Sequence, residues 1–122
     1  MLTLPLSVRV FVARDAVDFR KSHDGLFGIV SNVLHADPMN GHLYVFFNKR
    51  RDRVKILFKD RHGLWLMYQR LEHGVFEPAA HLTGDSVGVE IDMARLQMLL
   101  QGIDLRKSKI RHRFGARPRR KR

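Results

Sequence analysis

One stretch dominates the sequence: Gly41–Leu71, which reads GHLYVFFNKRRDRVKILFKDRHGLWLMYQRL. It contains three apolar runs of strand length, Leu43–Phe47, Val54–Phe58 and Leu64–Leu71, separated by two charged loops. Runs rich in β-branched and aromatic residues with short polar loops between them are typical of consecutive β-hairpins. Because isolated hairpins are marginally stable in water, this antiparallel meander needs other parts of the chain to cover it.

The residues before the meander predict a strand and then a helix. Valines alternate with other residues along Val8–Ala13, which favours a strand. Apolar residues then recur at helical spacing between Leu26 and Leu34, with Asp18 or Ser22 as the possible start. Pro38 ends this helix, because the residue before a proline is pushed out of the helical region.

The residues after the meander predict a short last strand and a second helix. Val87, Val89 and Ile91 alternate, and Asp92 is placed to cap a helix that continues to about Gln101. The order β-α-β-β-β-(β)-α predicts an α+β domain, with an antiparallel β-meander sheet and the helices packed on one face. We expect residues 1–105 to form this single domain and residues 106–122 to be a disordered basic tail.

Charge is distributed unevenly along the chain. The formal net charge is +11, of which the segment Lys49–Arg61 contributes +5 and the segment Arg106–Arg122 contributes +10, while the remainder carries −4. A concentrated basic loop and tail indicate a polyanionic partner, most simply nucleic acid. The chain has no cysteine, which excludes a disulfide framework and a thiolate metal site.

The first loop of the meander is the best candidate site for nucleic-acid binding. A hairpin tip would hold its cations on a rigid base, where they can contact phosphates. Lys55 follows in the next strand and would extend the patch. A second interpretation stays open, in which the loop is a solvated turn and Asp52 pairs with one of its arginines. The cations of this loop are Lys49, Arg50, Arg51 and Arg53.

Two further groups of cations are candidates. Arg20 and Lys21 precede the first helix, whose free amides suit a phosphate; the alternative is that Asp18 and Asp24 simply pair with them. The tail would add affinity for any polyanion without reading its sequence, and the alternative is a solubilising tail. Its candidate contacts are Arg106, Lys107, Lys109, Arg111 and Arg113.

Catalysis is not indicated. The seven histidines are scattered and none has the i, i+4 spacing of a helical metal pair. No phosphate-binding glycine loop or nucleophile motif is present. The aspartates available to a metal-dependent nuclease lie in caps, turns and charged loops, where aspartate is common in any case. We therefore expect no enzyme activity, no metal and no cofactor.

The aromatic residues of the meander have two interpretations. Tyr44, Trp65 and Tyr68 could stack on unpaired bases, but aromatic residues in a meander are more often part of the core. The strand that carries Trp65 and Tyr68 is apolar on both faces, which predicts that it is covered on both sides. No apolar run approaches the roughly 20 residues of a membrane-spanning helix, and the N-terminus is typical of a strand rather than of a signal peptide. We expect a cytoplasmic protein.

Three segments together resemble a known family. They are DFRKSHDGL at residues 18–26, DPMNGHLYVFFNKRRDRVKILFKDRHGLWLMYQRLEHGVF at residues 37–76, and LLQGIDL at residues 99–105. In order and spacing the chain is similar, over about Leu6–Leu105, to the small accessory protein of the insertion sequence 66 family of bacterial mobile elements. The resemblance implies a protein needed for efficient transposition, working beside a separate, larger transposase that carries the catalytic residues.

The leading hypothesis is therefore a non-catalytic accessory protein for transposition, which binds DNA through the basic loop and tail and assists the transposase. An alternative is a protein-interaction adaptor for the transposase that has no direct role at DNA. A metal-dependent nuclease is the third and weakest hypothesis. The residue pattern does not predict an oligomeric state or a preference between DNA and RNA.

Overall fold

A single five-stranded sheet forms the centre of the protein. The computed structural model describes residues 7–103. The strands are β1 (Val10–Ala13), β2 (Leu43–Phe47), β3 (Arg53–Lys59), β4 (Leu64–Arg70) and β5 (Gly88–Ile91). Their order across the sheet is β4-β3-β2-β1-β5, so that β4 and β5 form the two edges.

The predicted meander is confirmed as β2-β3-β4, with antiparallel pairing throughout. The remaining strands make the sheet mixed. β1 pairs in parallel with β2, with Val10 opposite Leu43. β5 pairs antiparallel with the other side of β1, with Val10 opposite Ile91. The first and last strands of the chain are thus neighbours, and β1 lies inside the sheet instead of at its edge.

Two α-helices cover the sheet: α1 (His23–Asn32) and α2 (Met93–Gln101). Ser22 is the N-cap of α1 but makes no side-chain capping hydrogen bond. Asp92 caps α2 as the sequence predicts, and its carboxylate accepts a hydrogen bond from the amide of Arg95 at 2.7 Å. Gly102 ends α2 with φ of 71°, a left-handed conformation that favours glycine. A 3₁₀ turn at Pro78–Ala80 interrupts the connection between β4 and β5.

The α+β class is confirmed, but the expectation that both helices lie on one face is wrong. α1 packs Leu26 and Val30 against Tyr44 and Phe46 of β2. α2 packs its buried leucines into the opposite face, which includes Val45. The physical reason is that all five residues of β2 are buried, so this central strand is apolar on both faces and each face needs cover.

Several segments meet at the end of the sheet where β1 and β2 finish, which we call the loop end. The loop between β2 and β3 turns here. The segment after β4 returns to it, because the amide of Phe76 donates to the carbonyl of Arg51 at 2.7 Å. Val75 in turn pairs with Ile103, just beyond α2. Val75 and Phe76 therefore connect Ile103, the last described residue, to the hairpin loop.

Replacing Phe76 with alanine tests this arrangement. Its side chain is fully buried and its ring lies 5.3 Å from that of Phe47. A buried Phe→Ala change leaves a cavity and should lower the free energy of unfolding by about 3–5 kcal/mol, measured by urea titration. The matched control is Trp65→Ala, which removes an aromatic ring that is 45% exposed and should cost less than half as much. Equal losses in the two variants would contradict the packing described.

Candidate functional site

The loop between β2 and β3 is built on a hydrogen-bonded base. The side-chain oxygen of Asn48 accepts from the amide of Arg53 at 3.0 Å, and its Nδ2 donates to Asp52 Oδ1 at 2.6 Å. The amide of Arg51 donates to the carbonyl of Asn48, which closes the turn. Arg51 then adopts φ of 62°, the left-handed region. This base fixes the backbone of the loop.

The cations at the tip of this loop point into solvent. Lys49, Arg50 and Arg51 are all exposed. The hydrogen bond from Asn48 is the largest cause that lowers the pKa of Asp52; burial opposes it, and the attraction of Arg53 and Arg50 adds a smaller lowering. Asp52 therefore stabilises the base of the loop, and within residues 7–103 no ion pair joins it to Arg50 or Arg53.

Lys55 occupies a different environment from the other candidates. It is 6% exposed, and its Nζ donates to the carbonyls of Phe19 at 2.9 Å and of Lys21 at 2.7 Å. The same ammonium group lies over the rings of Phe19 and Tyr68. Desolvation by burial lowers the pKa of Lys55, against a smaller opposing attraction from Asp18. Lys55 thus fastens the connection before α1 to β3 instead of extending an exposed patch.

Arg20 and Lys21 lie in that connection, in a tight turn that begins at Asp18. The carboxylate of Asp18 accepts the Arg20 amide at 2.9 Å and its guanidinium Nη2 at 2.6 Å. Arg20 is therefore paired with Asp18, one of the two carboxylates that the sequence offered as partners. Lys21 is exposed and makes no ion pair within the described part of the chain. The amide of Val17 donates to Phe47 O, which places this turn at the loop end.

The tail candidates Arg106, Lys107, Lys109, Arg111 and Arg113 lie outside the described residues, as does the proposed domain boundary at residue 105. The position of Ile103, the last described residue before them, is known. Ile103 pairs with Val75, whose neighbour Phe76 bonds to Arg51. Ile103, the last described residue, therefore lies close to the basic loop.

One cation at the loop end was missed by the sequence analysis. Arg70, the last residue of β4, lies directly opposite Arg53 on β3. The hairpin pattern predicts that these strands pair, but only the exact register places two arginines side by side. The loop with Arg61 lies at the other end of β3, away from the loop end.

The aromatic residues of the meander divide into two groups. Tyr44 is buried, as expected for a core residue. Trp65 is 45% and Tyr68 54% exposed, because β4 is an edge strand. The prediction that this strand is covered on both sides is therefore wrong. Apolar side chains on both faces predicted burial, but β4 is at the edge of the sheet, and no further strand among residues 7–103 pairs with its outer side.

Residues 7–103 contain neither a metal-binding cluster nor a membrane-spanning helix. Among residues 7–103, no group of three histidine, aspartate or glutamate side chains is arranged to hold a metal ion. In that part of the chain, no helix is both long enough and apolar enough to cross a membrane.

The pair formed by Asp18 and Arg20 should make stability depend on pH. The hydrogen bonds from Arg20 lower the pKa of Asp18 from 3.8 to about 2. A lowered folded-state pKa stabilises the protein above pH 4, and that contribution is lost as the pH falls from about 4 to about 2. Asp18→Asn should therefore melt below wild type at pH 5 and close to it at pH 2. Arg20→Gln should give the same pattern in thermal melts, and a pH-independent difference in either variant would contradict this cause.

The chain is similar to one described family and to two uncharacterized bacterial proteins. A family model described as "IS66 Orf2 like protein" matches residues 8–110. The uncharacterized protein y4hO of Sinorhizobium fredii is 34% identical over 107 residues, which cover 87% of this chain and 90% of that protein. The uncharacterized protein y4jC of the same organism is 41% identical over 69 residues, 57% of this chain and 59% of that protein. No solved structure matches the chain. Because the family model covers most of the chain and y4hO matches over most of both lengths, the protein belongs to the IS66 Orf2-like family.

Proposed function

We propose that this protein is a non-catalytic accessory factor that binds DNA during transposition of an insertion sequence 66 element. Membership of the IS66 Orf2-like family implies an accessory role in that process. The observation that carries the DNA contact is the exposed basic loop at the loop end, close to Ile103, the last described residue before the basic tail of the sequence. Phosphates are the natural partners of such a cationic surface.

The geometry of the loop supports contact with a phosphate backbone. Lys49 and Arg50 are exposed and unpaired within the described chain, and the loop is held by the side chain of Asn48. A fixed backbone limits the entropy lost when the side chains are ordered on a ligand. The tail, with ten cations and no carboxylate from Arg106 onward, adds affinity that does not depend on sequence. Lys55 and Arg20 are engaged within the protein and position this surface.

Gel-shift titration with a duplex of the element end tests the proposal. Between about 50 and 200 mM salt, affinity should fall steeply, because binding releases counterions from the DNA. Replacing Lys49 and Arg50 with glutamine removes two phosphate contacts, which should lower affinity by about tenfold and reduce the salt slope by about 2.

The matched control is Arg61→Gln with Arg95→Gln, which removes two exposed cations away from the loop end. This variant should keep most of the affinity. An equal loss in both double variants would show that only total charge matters and would remove the loop as a site. The absence of any binding at low salt would overturn the proposed DNA role.

A second candidate function is that of a protein-interaction adaptor for the transposase. The exposed edge strand β4 favours it, because Trp65, Met67 and Tyr68 are 45%, 38% and 54% exposed. Exposed apolar side chains on an unpaired edge are typical of a protein contact. Co-purification with the transposase that survives nuclease treatment and is lost in Trp65→Ser would support this function; co-purification abolished by nuclease alone would argue against it.

A further inference from the structure

Two arginines face each other across β3 and β4, and neither forms an ion pair within residues 7–103. Arg53 lies opposite Arg70 in the strand register. Next to this pair, the amide of Leu71 donates to Asp52 O, so Asp52 and Leu71 form a hydrogen-bonded pair of the antiparallel ladder. Arg53 and Arg70 therefore form a non-hydrogen-bonded pair, the closer type, with Cα atoms about 4.5 Å apart. Like charges placed directly opposite on a sheet are destabilising.

No carboxylate among residues 7–103 forms an ion pair with Arg53 or Arg70. The ion pairs found within residues 7–103 are Arg9 with Glu90 and Arg20 with Asp18. Asp52 lies just before β3 and attracts Arg53, but it forms no ion pair with Arg53 within residues 7–103, and its carboxylate accepts a hydrogen bond from Asn48. Lys55, the next residue on the Arg53 face, adds another positive charge.

The guanidinium group of Arg53 is also incompletely bonded. Arg53 is half-buried, and its buried Nε has no hydrogen-bond partner among residues 7–103. Buried donors are nearly always bonded, so an unpartnered one calls for a ligand or a rearrangement that satisfies it. Arg70 is exposed, so the pair is open to solvent on one side. A half-buried arginine beside an exposed one forms a partly desolvated cationic pair, which binds an anion more strongly than two fully solvated cations do.

We propose that Arg53 and Arg70 form a clamp for one phosphate group of the DNA backbone, on the face of the sheet that α1 covers. This inference rests on the proposed DNA-binding function for the identity of its ligand. Lys21 borders the clamp, because Lys55 on the neighbouring residue pair bonds to the Lys21 carbonyl. The clamp fixes where the DNA backbone crosses the protein: past the side of the hairpin, between its loop and the N-terminal end of α1.

The proposed clamp predicts a change in stability that can be measured without DNA. Arg70→Gln removes a like-charge repulsion, so in chloride buffer of low ionic strength the melting temperature should rise by about 1–4 °C. Inorganic phosphate at constant ionic strength should stabilise wild type and leave Arg53→Gln/Arg70→Gln unaffected. The control Arg61→Gln/Arg95→Gln should respond to phosphate as wild type does. Because Arg70 is exposed, its single variant remains informative if the double variant folds poorly.

DNA titrations then separate the clamp from the proposed function. Arg53→Gln/Arg70→Gln should bind the element-end duplex about tenfold or more weakly, with a salt slope reduced by about 2. A wild-type protein that is stabilised by phosphate but does not bind DNA would overturn the proposed function and keep the anion site. Unchanged DNA affinity in the clamp variant, beside a loss in Lys49→Gln/Arg50→Gln, would overturn the clamp alone. A fall in the melting temperature of Arg70→Gln at low salt, or an equal phosphate response in all variants, would also overturn it.

Discussion

The buried ammonium group of Lys55 is the contact on which the arrangement of the candidate site depends. It joins the middle of the sheet to the carbonyls of Phe19 and Lys21, two residues in the turn before α1. A charged group can stay in such a place because both carbonyls and the flanking Phe19 and Tyr68 rings replace its water. The contact fixes the path of the chain into α1 and holds the Arg20–Lys21 turn beside the basic hairpin.

Cations of the same chemical type therefore have distinct tasks in this protein. Lys55 and Arg14 bond to backbone carbonyls and hold connections in place, the latter at Ser86 and Thr83. Arg20 is held by a carboxylate. Lys49 and Arg50 remain available to a ligand. Net charge alone therefore overstates the number of cations that a ligand could contact, because some of them already bond within the fold.

Local sequence patterns predicted the elements well, and non-local pairing explains what they missed. Alternation and turn residues identified the meander, and Asp92 and Gly102 marked the ends of α2. The parallel insertion of β1 between β2 and β5 could not be predicted, because it depends on the connection through α1 and not on any local residue pattern. The same holds for Arg70, whose importance comes from the residue across the strand. The basic loop was predictable because its cations are contiguous.

The pairing of β1 with β5 has a consequence for how the protein is made. Val10 and Ile91 are partners although almost the whole domain lies between them in sequence. Contacts of such long sequence separation require the closure of a large loop, so they slow folding. During synthesis, β1 can pair with β2 on one side, but its other side stays open until the ribosome has released β5 and α2. Until β5 is available, a strand that lies inside the finished sheet has one unpaired edge, the kind of edge that favours aggregation.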